Sequence, residues 1–253
     1  FYNTMSNLIS IIIPFYKKKF FFTKTIKSVL NQSYKNFEII LVYDDTSKAD
    51  LKYVKKTLQN IKKKKIIINT KNLGVGRSRN IGIKVAKGNF VAFLDADDIW
   101  HKDKLKEQLT FMKKNKINFS YTDYLIIDEN EKNIRKIYAP KMIKYKDLLY
   151  SCDIGLSSVM ASTKLFDSES FPNLKTKEDY VLWLKLSKKN IKMFGINKTL
   201  TQWRKTSGSL SDSSIQKLKD AFTVYNKHLK FNMVNSLILT FILSLNFIKK
   251  RYL

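Results

Sequence analysis

Cysteine and histidine are scarce in this chain of 253 residues. The single cysteine, Cys152, excludes an intramolecular disulfide and any zinc site built from cysteines. The two histidines, His101 and His228, lie too far apart in the sequence to form a local metal motif. The apolar run Leu8–Ile13 is short and stops at Pro14, which is unlike a signal peptide. We therefore expect a protein of a reducing, cytoplasmic setting.

Acidic residues are also few, because 21 Asp and Glu stand against 48 Lys and Arg and give a formal net charge of +27. Such an excess first suggests nucleic acid or an anionic membrane as a partner. Only five of the cations are arginine, the residue that best recognises phosphate and guanine, and the lysines are scattered. We therefore predict no nucleic-acid partner, whereas attraction to an anionic membrane surface remains physically reasonable.

The first hundred residues alternate short apolar runs with helix-like patterns. The pattern predicts strands at 8–15, 37–42, 65–69 and 89–94 and helices at 23–31, 49–58 and 77–86. Short strands separated by helices indicate an α/β fold with a mostly parallel sheet and right-handed crossovers. The strand ends at Pro14, Asp44 and Asp95 are then expected to share one edge of the sheet.

A cluster of acids directly follows the fourth predicted strand, as Asp95-Ala96-Asp97-Asp98. Carboxylates this close raise each other's pKa, and a divalent cation removes that repulsion. Mg²⁺ prefers one or two carboxylates together with substrate phosphates, and open α/β sheets bind ligands at this edge. The cluster therefore predicts a site for Mg²⁺ or Mn²⁺ and a diphosphate. The structural alternative is a solvated turn in which Asp97 or Asp98 caps the next helix.

Four of the seven glycines fall between Gly74 and Gly88. Glycine permits backbone paths and close helix packing that other residues do not, but the spacing here does not complete a dinucleotide-binding fingerprint. Arg79, within the same segment, is placed either to reach a nucleotide phosphate or to pair with a local carboxylate. The sequence does not choose between these two roles.

Four segments of the chain occur in a characteristic order. They are Ile11-Ile-Ile-Pro14-Phe-Tyr16, Glu38-Ile-Ile-Leu-Val-Tyr-Asp44-Asp45, Asn72-Leu-Gly with Arg79-Asn-x-Gly82, and Phe93-Leu-Asp95-Ala-Asp97-Asp98-x-Trp100. In that order they resemble the amino-terminal half of family 2 glycosyltransferases, which have the GT-A fold. The resemblance covers about residues 8 to 211 and is weaker beyond Trp100. It implies an inverting enzyme of the bacterial surface-polysaccharide type that takes its sugar from a nucleoside diphosphate sugar, with a UDP-sugar as the expected donor.

The resemblance also implies a set of donor-site residues. They are Pro14, Phe15 and Tyr16 around the base, Asp44 as acceptor of a hydrogen bond from the base ring, Asp95 beside the ribose or diphosphate, and Asp97 with Asp95 at the metal. This chain departs from the family pattern by having Lys17 where an asparagine is common. A shift of one residue would make Asp45 the base contact instead of Asp44.

The catalytic base is expected in the second half, where Glu178 and Asp179 open a strongly apolar helix. An inverting transfer needs one carboxylate to take the proton of the acceptor hydroxyl. The resemblance assigns this role to Asp179, while acids in a first helical turn also simply favour the helix dipole. Further on, Arg204 is implied to help hold the diphosphate. Thr206 stands where the family often has a histidine.

The last segment changes in character. Residues 212–230 predict a polar amphipathic helix, and residues 231–248 carry no formal charge but are flanked by lysines. As a helix the uncharged run would be about 27 Å long, which is marginal against a bilayer core of about 30 Å. We favour a helix that lies at a membrane interface or packs on a partner, ahead of one that covers the core or one that spans.

These observations together predict a GT-A domain at residues 5–211 and a C-terminal helical, membrane-associating extension at residues 212–253. The domain divides into a nucleotide half, 5–100, and an acceptor half, 101–211. The predicted protein is a metal-dependent enzyme that transfers a hexose to a hydroxyl of a glycan or lipid-linked glycan, peripheral on the cytoplasmic face of the membrane. The alternatives are a non-catalytic nucleotide-sugar-binding protein of the same fold and a basic surface protein that binds membrane or nucleic acid.

Overall fold

The computed structural model describes residues 7–167, 169–207 and 213–252, and within them ten strands form one mixed sheet. The strands are β1 (Ile9–Phe15), β2 (Phe37–Tyr43), β3 (Lys64–Ile68), β4 (Phe90–Phe93), β5 (Ile99–Trp100), β6 (Phe119–Ile127), β7 (Asn133–Ile137), β8 (Met142–Ile143), β9 (Met160–Ser162) and β10 (Met193–Arg204). The helices are α1 (Lys19–Leu30), α2 (Lys48–Leu58), α3 (Val75–Val85), α4 (Lys104–Lys114), α5 (Tyr145–Tyr150), α6 (Glu178–Lys188), α7 (Ser214–Thr223) and α8 (Met233–Tyr252).

The strand order is β3-β2-β1-β4-β9-β6-β10-β5, with β7 paired to β6 and β8 to β10. Strands β1 to β4 pair in parallel, as the sequence predicts, whereas β9 is antiparallel to both β4 and β6. In this register Phe15 lies beside Tyr43, and Ile12 lies beside Phe93. The carboxyl ends of β1, β2 and β4 therefore meet at one edge, which confirms the predicted arrangement.

The core lies in two layers, one on each face of the sheet. Successive residues of a strand point to opposite faces, so Ile11 and Ile13 pack against α1, α2 and α4, while Ile12 packs with α3, α5 and α6. Helix α6 is apolar on several sides and is largely buried, with Val181, Trp183 and Leu184 fully inaccessible. The first turn of α6 is therefore held firmly against the sheet edge.

Two predicted helix starts were wrong. Helix α1 begins at Lys19 rather than Thr23, because the chain has already turned at Lys17, whose φ of 52° lies in the left-handed region. Thr23 lies inside the helix, where its hydroxyl bonds the hydroxyl of Tyr53. The helix that the sequence predicts at 100–114 also begins later, because Ile99–Trp100 pairs with β10 and the helix starts at Lys104.

The longest strand, β10, was not predicted as a strand. It runs from Met193 to Arg204 and pairs along most of its length with β6. Its sequence mixes polar and apolar residues, and two irregularities in its pairing with β6 break the simple alternation by which strands are recognised. Arg204, the last residue of β10, is thus part of the central sheet.

The C-terminal segment forms helices α7 and α8, joined through a π-helical turn at Val224–His228. Ser213 caps α7 by accepting a hydrogen bond from the Gln216 amide at 3.2 Å. Ser236 and Thr240 form a short polar stripe on one side of α8, and this stripe is buried against the protein. By length and composition Met233–Lys250 is long and apolar enough to cross a membrane, with a mean hydropathy of 1.3 and 22% of the segment buried.

Candidate active site

The residues after β1 divide between the core and the surface. Pro14 and Phe15 are buried, and the Phe15 ring stacks on Tyr43 at 5.3 Å and meets Phe22 edge-on at 5.2 Å. Tyr16 is 40% exposed, and the Lys17 ammonium lies 5.1 Å from the centre of its ring. The Phe15 side chain therefore belongs to the core, and Tyr16 is the residue of this group with an exposed side chain; its contact with a base stays a prediction.

Asp44, at the end of β2, holds the loop that leads into α3. Its Oδ1 accepts hydrogen bonds from the Leu73 amide at 2.8 Å and from Asn69 Nδ2 at 2.7 Å, and its Oδ2 accepts from the Gly74 amide at 2.9 Å. Gly74 has a φ of +89°, a conformation that favours glycine. A carboxylate offers about four acceptor positions, so a base contact by Asp44 would use the last one. That contact stays a prediction.

Asp45, the alternative base contact, holds the turn between β1 and α1 instead. Its Oδ2 accepts from the Lys17 amide at 3.0 Å, and its Oδ1 accepts from the amides of Thr46 at 2.7 Å and Ser47 at 3.2 Å. The two neighbouring aspartates therefore each organise one loop at the predicted donor edge.

The acid cluster after β4 is closed in by cations of the protein. Lys18 Nζ lies 2.7 Å from Asp97 Oδ2 and 2.6 Å from Thr206 Oγ1. Burial raises the pKa of Asp97, an effect that the Lys18 charge opposes. Burial and the charges of Asp97 and Asp95 raise the pKa of Asp98 well above its usual range. The structural reading of Asp97 or Asp98 as helix caps is not supported, because α4 starts later and Asp98 Oδ1 accepts from the Arg204 amide at 2.8 Å.

Arg79 joins the acid cluster to the first turn of α6. Its Nη2 lies 2.7 Å from Asp95 Oδ1, and its Nη1 binds Glu178 Oε1. The guanidinium is 3% exposed, whereas the Asp95 side chain is 30% exposed. Burial alone would lower the pKa of Arg79, but the two carboxylates outweigh it and raise that pKa. Of the two roles that the sequence left open, the structure contains the pairing with carboxylates.

Asp179 lies beside this bridge, in the first turn of α6. Burial raises its pKa, and the nearby Arg79 charge opposes that rise. Burial also raises the pKa of Glu178 to about 7, with Arg79 again acting in the opposite direction. The Asp95 charge further raises the pKa of Asp179, which places the two carboxylates within electrostatic reach of each other. A half-buried acid with a raised pKa, close to an acid cluster, is suited to proton transfer.

Arg204 ties the acid cluster to the β6–β7 turn. Its Nε donates to the Asp97 carbonyl oxygen at 2.9 Å, its Nη1 donates to the carbonyl oxygens of Asp128 and Glu129 at 3.2 Å each, and its Nη2 lies 3.1 Å from Glu131 Oε1. With a side chain only 1% exposed, it uses all three of its nitrogens on protein acceptors. These contacts favour a role in positioning Asp97, and a diphosphate contact by Arg204 stays a prediction.

Sequence reasoning missed Lys18 and the function of Glu178 as a partner of Arg79. Lys18 stands in a run of three lysines, and nothing in such a run marks the one that turns inward. Glu178 was set aside in favour of its neighbour Asp179. The family resemblance extends to about residue 211, but the structure describes this stretch only up to residue 207, so residues 208–211 lie outside the described part of the chain.

The family is decided by a comparison with family models, in which residues 10–174 match the model of glycosyl transferase family 2. The chain belongs to that family. This confirms the family predicted from the four sequence segments. The match runs from the second residue of β1 to a position four residues before α6, and so includes the acid cluster and Arg79.

Individual relatives of this family 2 glycosyltransferase agree. It is 33% identical to the putative teichuronic acid biosynthesis glycosyltransferase TuaG of Bacillus subtilis over 87% of this chain and 88% of that protein. It is 37% identical to the Escherichia coli UDP-Glc:alpha-D-GlcNAc-diphosphoundecaprenol beta-1,3-glucosyltransferase WfgD over 86% of this chain and 85% of that protein. The first relative is named for teichuronic acid biosynthesis, and the second is named for transfer of glucose to GlcNAc-diphosphoundecaprenol.

Solved structures identify the fold of this family 2 glycosyltransferase. The crystal structure of S. aureus TarS residues 1–349 in complex with UDP-GlcNAc superposes with a TM-score of 0.71 over 90% of this chain and 69% of that one, at 21% identity. The mannosyltransferase PcManGT from Pyrobaculum calidifontis, in complex with GDP-Man and Mn²⁺, gives a TM-score of 0.68 over 94% and 72%, at 12% identity. At these identities the likeness establishes the GT-A fold.

Proposed function

We propose that this family 2 glycosyltransferase transfers a hexose from a nucleoside diphosphate sugar, with UDP-sugar as the first candidate, to a hydroxyl of a lipid-linked glycan with inversion at the anomeric carbon. One observation carries the proposal. The buried Arg79 guanidinium binds Asp95 on the donor side and Glu178, next to Asp179, on the side assigned to the acceptor. A single residue thereby holds the predicted leaving-group site beside the predicted base.

The side chains of the acid cluster are of the type that binds a divalent cation. Among the described residues no three side chains of metal-ligating type form a group, and the cation would be held by the two carboxylates Asp95 and Asp97, whose side chains are 30% and 12% exposed. Mg²⁺ and Mn²⁺ commonly complete such a set with diphosphate oxygens of the substrate. When bound, the cation would offset the negative charge that develops on the departing diphosphate. Lys18, at 2.7 Å from Asp97, supplies a second positive charge at the same place.

Asp179 acts as the base in this proposal. Its carboxylate takes the proton of the acceptor hydroxyl while the hydroxyl oxygen forms a bond to the anomeric carbon and the bond from that carbon to the diphosphate oxygen breaks. The acceptor enters on one face of the sugar and the diphosphate leaves from the other, which inverts the configuration. The raised pKa of Asp179 makes the carboxylate a stronger base than an exposed aspartate.

The acceptor and the cellular location are inferred together. The relative WfgD is named for transfer to GlcNAc linked to diphosphoundecaprenol, a lipid. Such an acceptor would place this enzyme at the cytoplasmic face of the membrane, and the net charge of +27 favours an anionic lipid surface.

The test begins with binding. A thermal-shift screen of nucleoside diphosphates with and without Mn²⁺ should show stabilisation by UDP that grows when the cation is present. Transfer from the matching UDP-sugar to a lipid-diphosphate-linked sugar should follow, and Asp179→Asn should stop it without changing UDP binding. Binding without turnover in the wild-type protein would favour the non-catalytic alternative. Affinity for polyanions that ignored Mn²⁺ and collapsed with salt would favour the basic surface protein.

A further inference from the structure

Helix α8 presents its apolar face to solvent. Six large side chains at helical spacing, between 47% and 65% exposed, form this outer face: Val234, Leu237, Ile238, Phe241, Leu245 and Ile248. They recur at intervals of three and four residues and so follow one side of the helix. An exposed apolar strip of this length is unusual on the surface of a soluble protein and indicates contact with a membrane or with another protein.

The opposite face of α8 packs on the protein, and it carries small polar residues as well as leucines. Ser236 and Thr240 are buried, and their hydroxyls donate to the carbonyl oxygens of Asn232 and Ser236 at 2.8 and 2.7 Å. Leu243 joins the core on the same side. The burial of these residues sets the orientation of α8, and the apolar strip therefore faces outward.

Contacts near the C-terminal end of α8 hold it along the body. Asn246 Nδ2 donates to the Tyr150 carbonyl oxygen at 2.9 Å, and Lys250 Nζ lies 2.6 Å from Asp153. Crossing a bilayer would break these bonds and place the buried polar stripe in hydrocarbon. A helix held in this way can lie flat, with its outer face at the depth of the lipid headgroups and upper acyl chains.

The lysines around the apolar strip indicate which partner it contacts. Lys227 and Lys230 precede α8, Lys249 stands near its end, and all three are exposed, whereas the neighbouring Lys250 is paired with Asp153. Near an anionic membrane each such lysine contributes about 1 kcal/mol of attraction. A second copy of this chain would instead bring another net charge of +27. Charge complementarity therefore favours an anionic bilayer over self-association.

Helix α5 joins α8 to the helix that carries the proposed base. The Tyr150 carbonyl oxygen, at the end of α5, accepts from Asn246 of α8 at 2.9 Å, and the hydroxyl of Tyr180, the residue after Asp179, donates to the Leu148 carbonyl oxygen of α5. The end of α8 is thus joined through α5 to the first turn of α6.

We propose that the outer face of α8 is the membrane-contacting surface of this enzyme, and that it holds the part of the candidate active site formed by the first turn of α6 next to an anionic bilayer. The proposal rests on the proposed function in one respect, namely that the acceptor is anchored in lipid. It assigns the helix a role in presenting the enzyme to that acceptor rather than in the chemical step.

The experiment compares two double variants of the full chain in vesicle flotation. Leu237→Ser with Phe241→Ser removes one leucine and one phenylalanine from the outer face. Leu30→Ser with Phe20→Ser removes the same two residue types from exposed positions of α1, where Phe20 is 85% and Leu30 is 42% exposed. Vesicles of phosphatidylcholine with about one third phosphatidylglycerol should bind the wild type and the α1 variant alike, whereas the α8 variant should bind at least about tenfold more weakly.

Two further readouts keep the outcomes apart. Circular dichroism and thermal unfolding of both variants establish that each is folded. Transfer is then measured with an acceptor embedded in vesicles and with a short-chain, water-soluble acceptor. The α8 variant should lose transfer to the embedded acceptor only. Equal vesicle binding by the wild type and the α8 variant, or a concentration-dependent dimer that the α8 substitutions dissolve, would overturn the membrane assignment. Absence of transfer to either acceptor by the wild type would instead contradict the proposed function.

Discussion

Arg79 Nη2 lies 2.7 Å from Asp95 Oδ1, and this ion pair connects helix α3 to the acid cluster that follows β4. The same guanidinium binds Glu178, at the start of α6. One buried cation therefore holds α3, the acid cluster 16 residues further on and the start of α6, which lies 99 residues further on. The geometry of the proposed catalytic site depends on these two ion pairs.

Replacing Arg79 by methionine should leave two carboxylates without their buried partner. The loss of one partner from a buried ion pair typically costs about 3–5 kcal/mol, and we expect the free energy of unfolding to fall by that order in urea denaturation. Arg77→Met is the matched control, because Arg77 lies on the same helix but is exposed. A similar, small effect of both substitutions would show that the bridge contributes little.

Replacing Asp179 by asparagine keeps the shape of the side chain but removes the base. We expect kcat to fall by about 10²–10⁴-fold, the usual contribution of a general base, with unchanged affinity for UDP. Steady-state transfer and UDP titration measure the two quantities. Glu178→Gln serves as the comparison, and if that variant lost its turnover while Asp179→Asn kept it, Glu178 would be the base.

The transfer rate should depend on pH through Asp179. The base must be deprotonated, and burial raises its pKa, so kcat/KM should decline as pH falls at values above the range of an ordinary aspartate. The measurement is a pH profile of transfer with a buffer series at constant ionic strength. An acidic limb at the pH of an exposed aspartate would contradict a raised pKa of the base.

Stability should depend on pH through Glu178. Its pKa is about 7 in the folded protein against 4.5 as the ordinary value, so between these values the folded state keeps a proton that the unfolded state releases. The contribution of Glu178 is then fully present below about pH 4.5 and is lost as pH rises through about 7. Other buried acids act in the same direction, so the test is the difference between wild type and Glu178→Gln. The unfolding free energy of the variant should fall less steeply with rising pH over this range. Equal slopes for the two proteins would contradict the raised pKa of Glu178.

Lys18 should compete with a divalent cation for Asp97, because its ammonium lies 2.7 Å from Asp97 Oδ2. We expect Lys18→Met to bind Mn²⁺ more tightly in the absence of donor, by about threefold or more, as the loss of a partly buried ion pair would allow. Electron paramagnetic resonance titration of free Mn²⁺ measures this directly. Lys19→Met removes the same charge from the next position, where the ammonium pairs with Asp50 at 3.4 Å, and should change the affinity little. Unchanged or weaker Mn²⁺ binding by Lys18→Met would place the cation elsewhere.

The amino-terminal half was predictable because its information is local. Short apolar runs separated by helices specify parallel strands, and the strand ends then have to meet at one edge. The segments around Pro14, Asp44 and Asp95 also carried the family resemblance. The second half was harder, since β10 has an irregular pattern and residues 140–175 form short elements whose place is set by packing.

The sequence by itself determined the fold class, the family, the edge of the sheet that carries the acids and the presence of an uncharged C-terminal helix. Only the tertiary structure decided which charges meet: that Arg79 binds carboxylates, that Arg204 and Asp44 each hold a loop, that Lys18 turns toward Asp97, and that α8 buries its polar stripe. The physical reason is that strand and helix periodicity is encoded over a few neighbouring residues, whereas these ion pairs and hydrogen bonds join segments that lie from 16 to 107 residues apart.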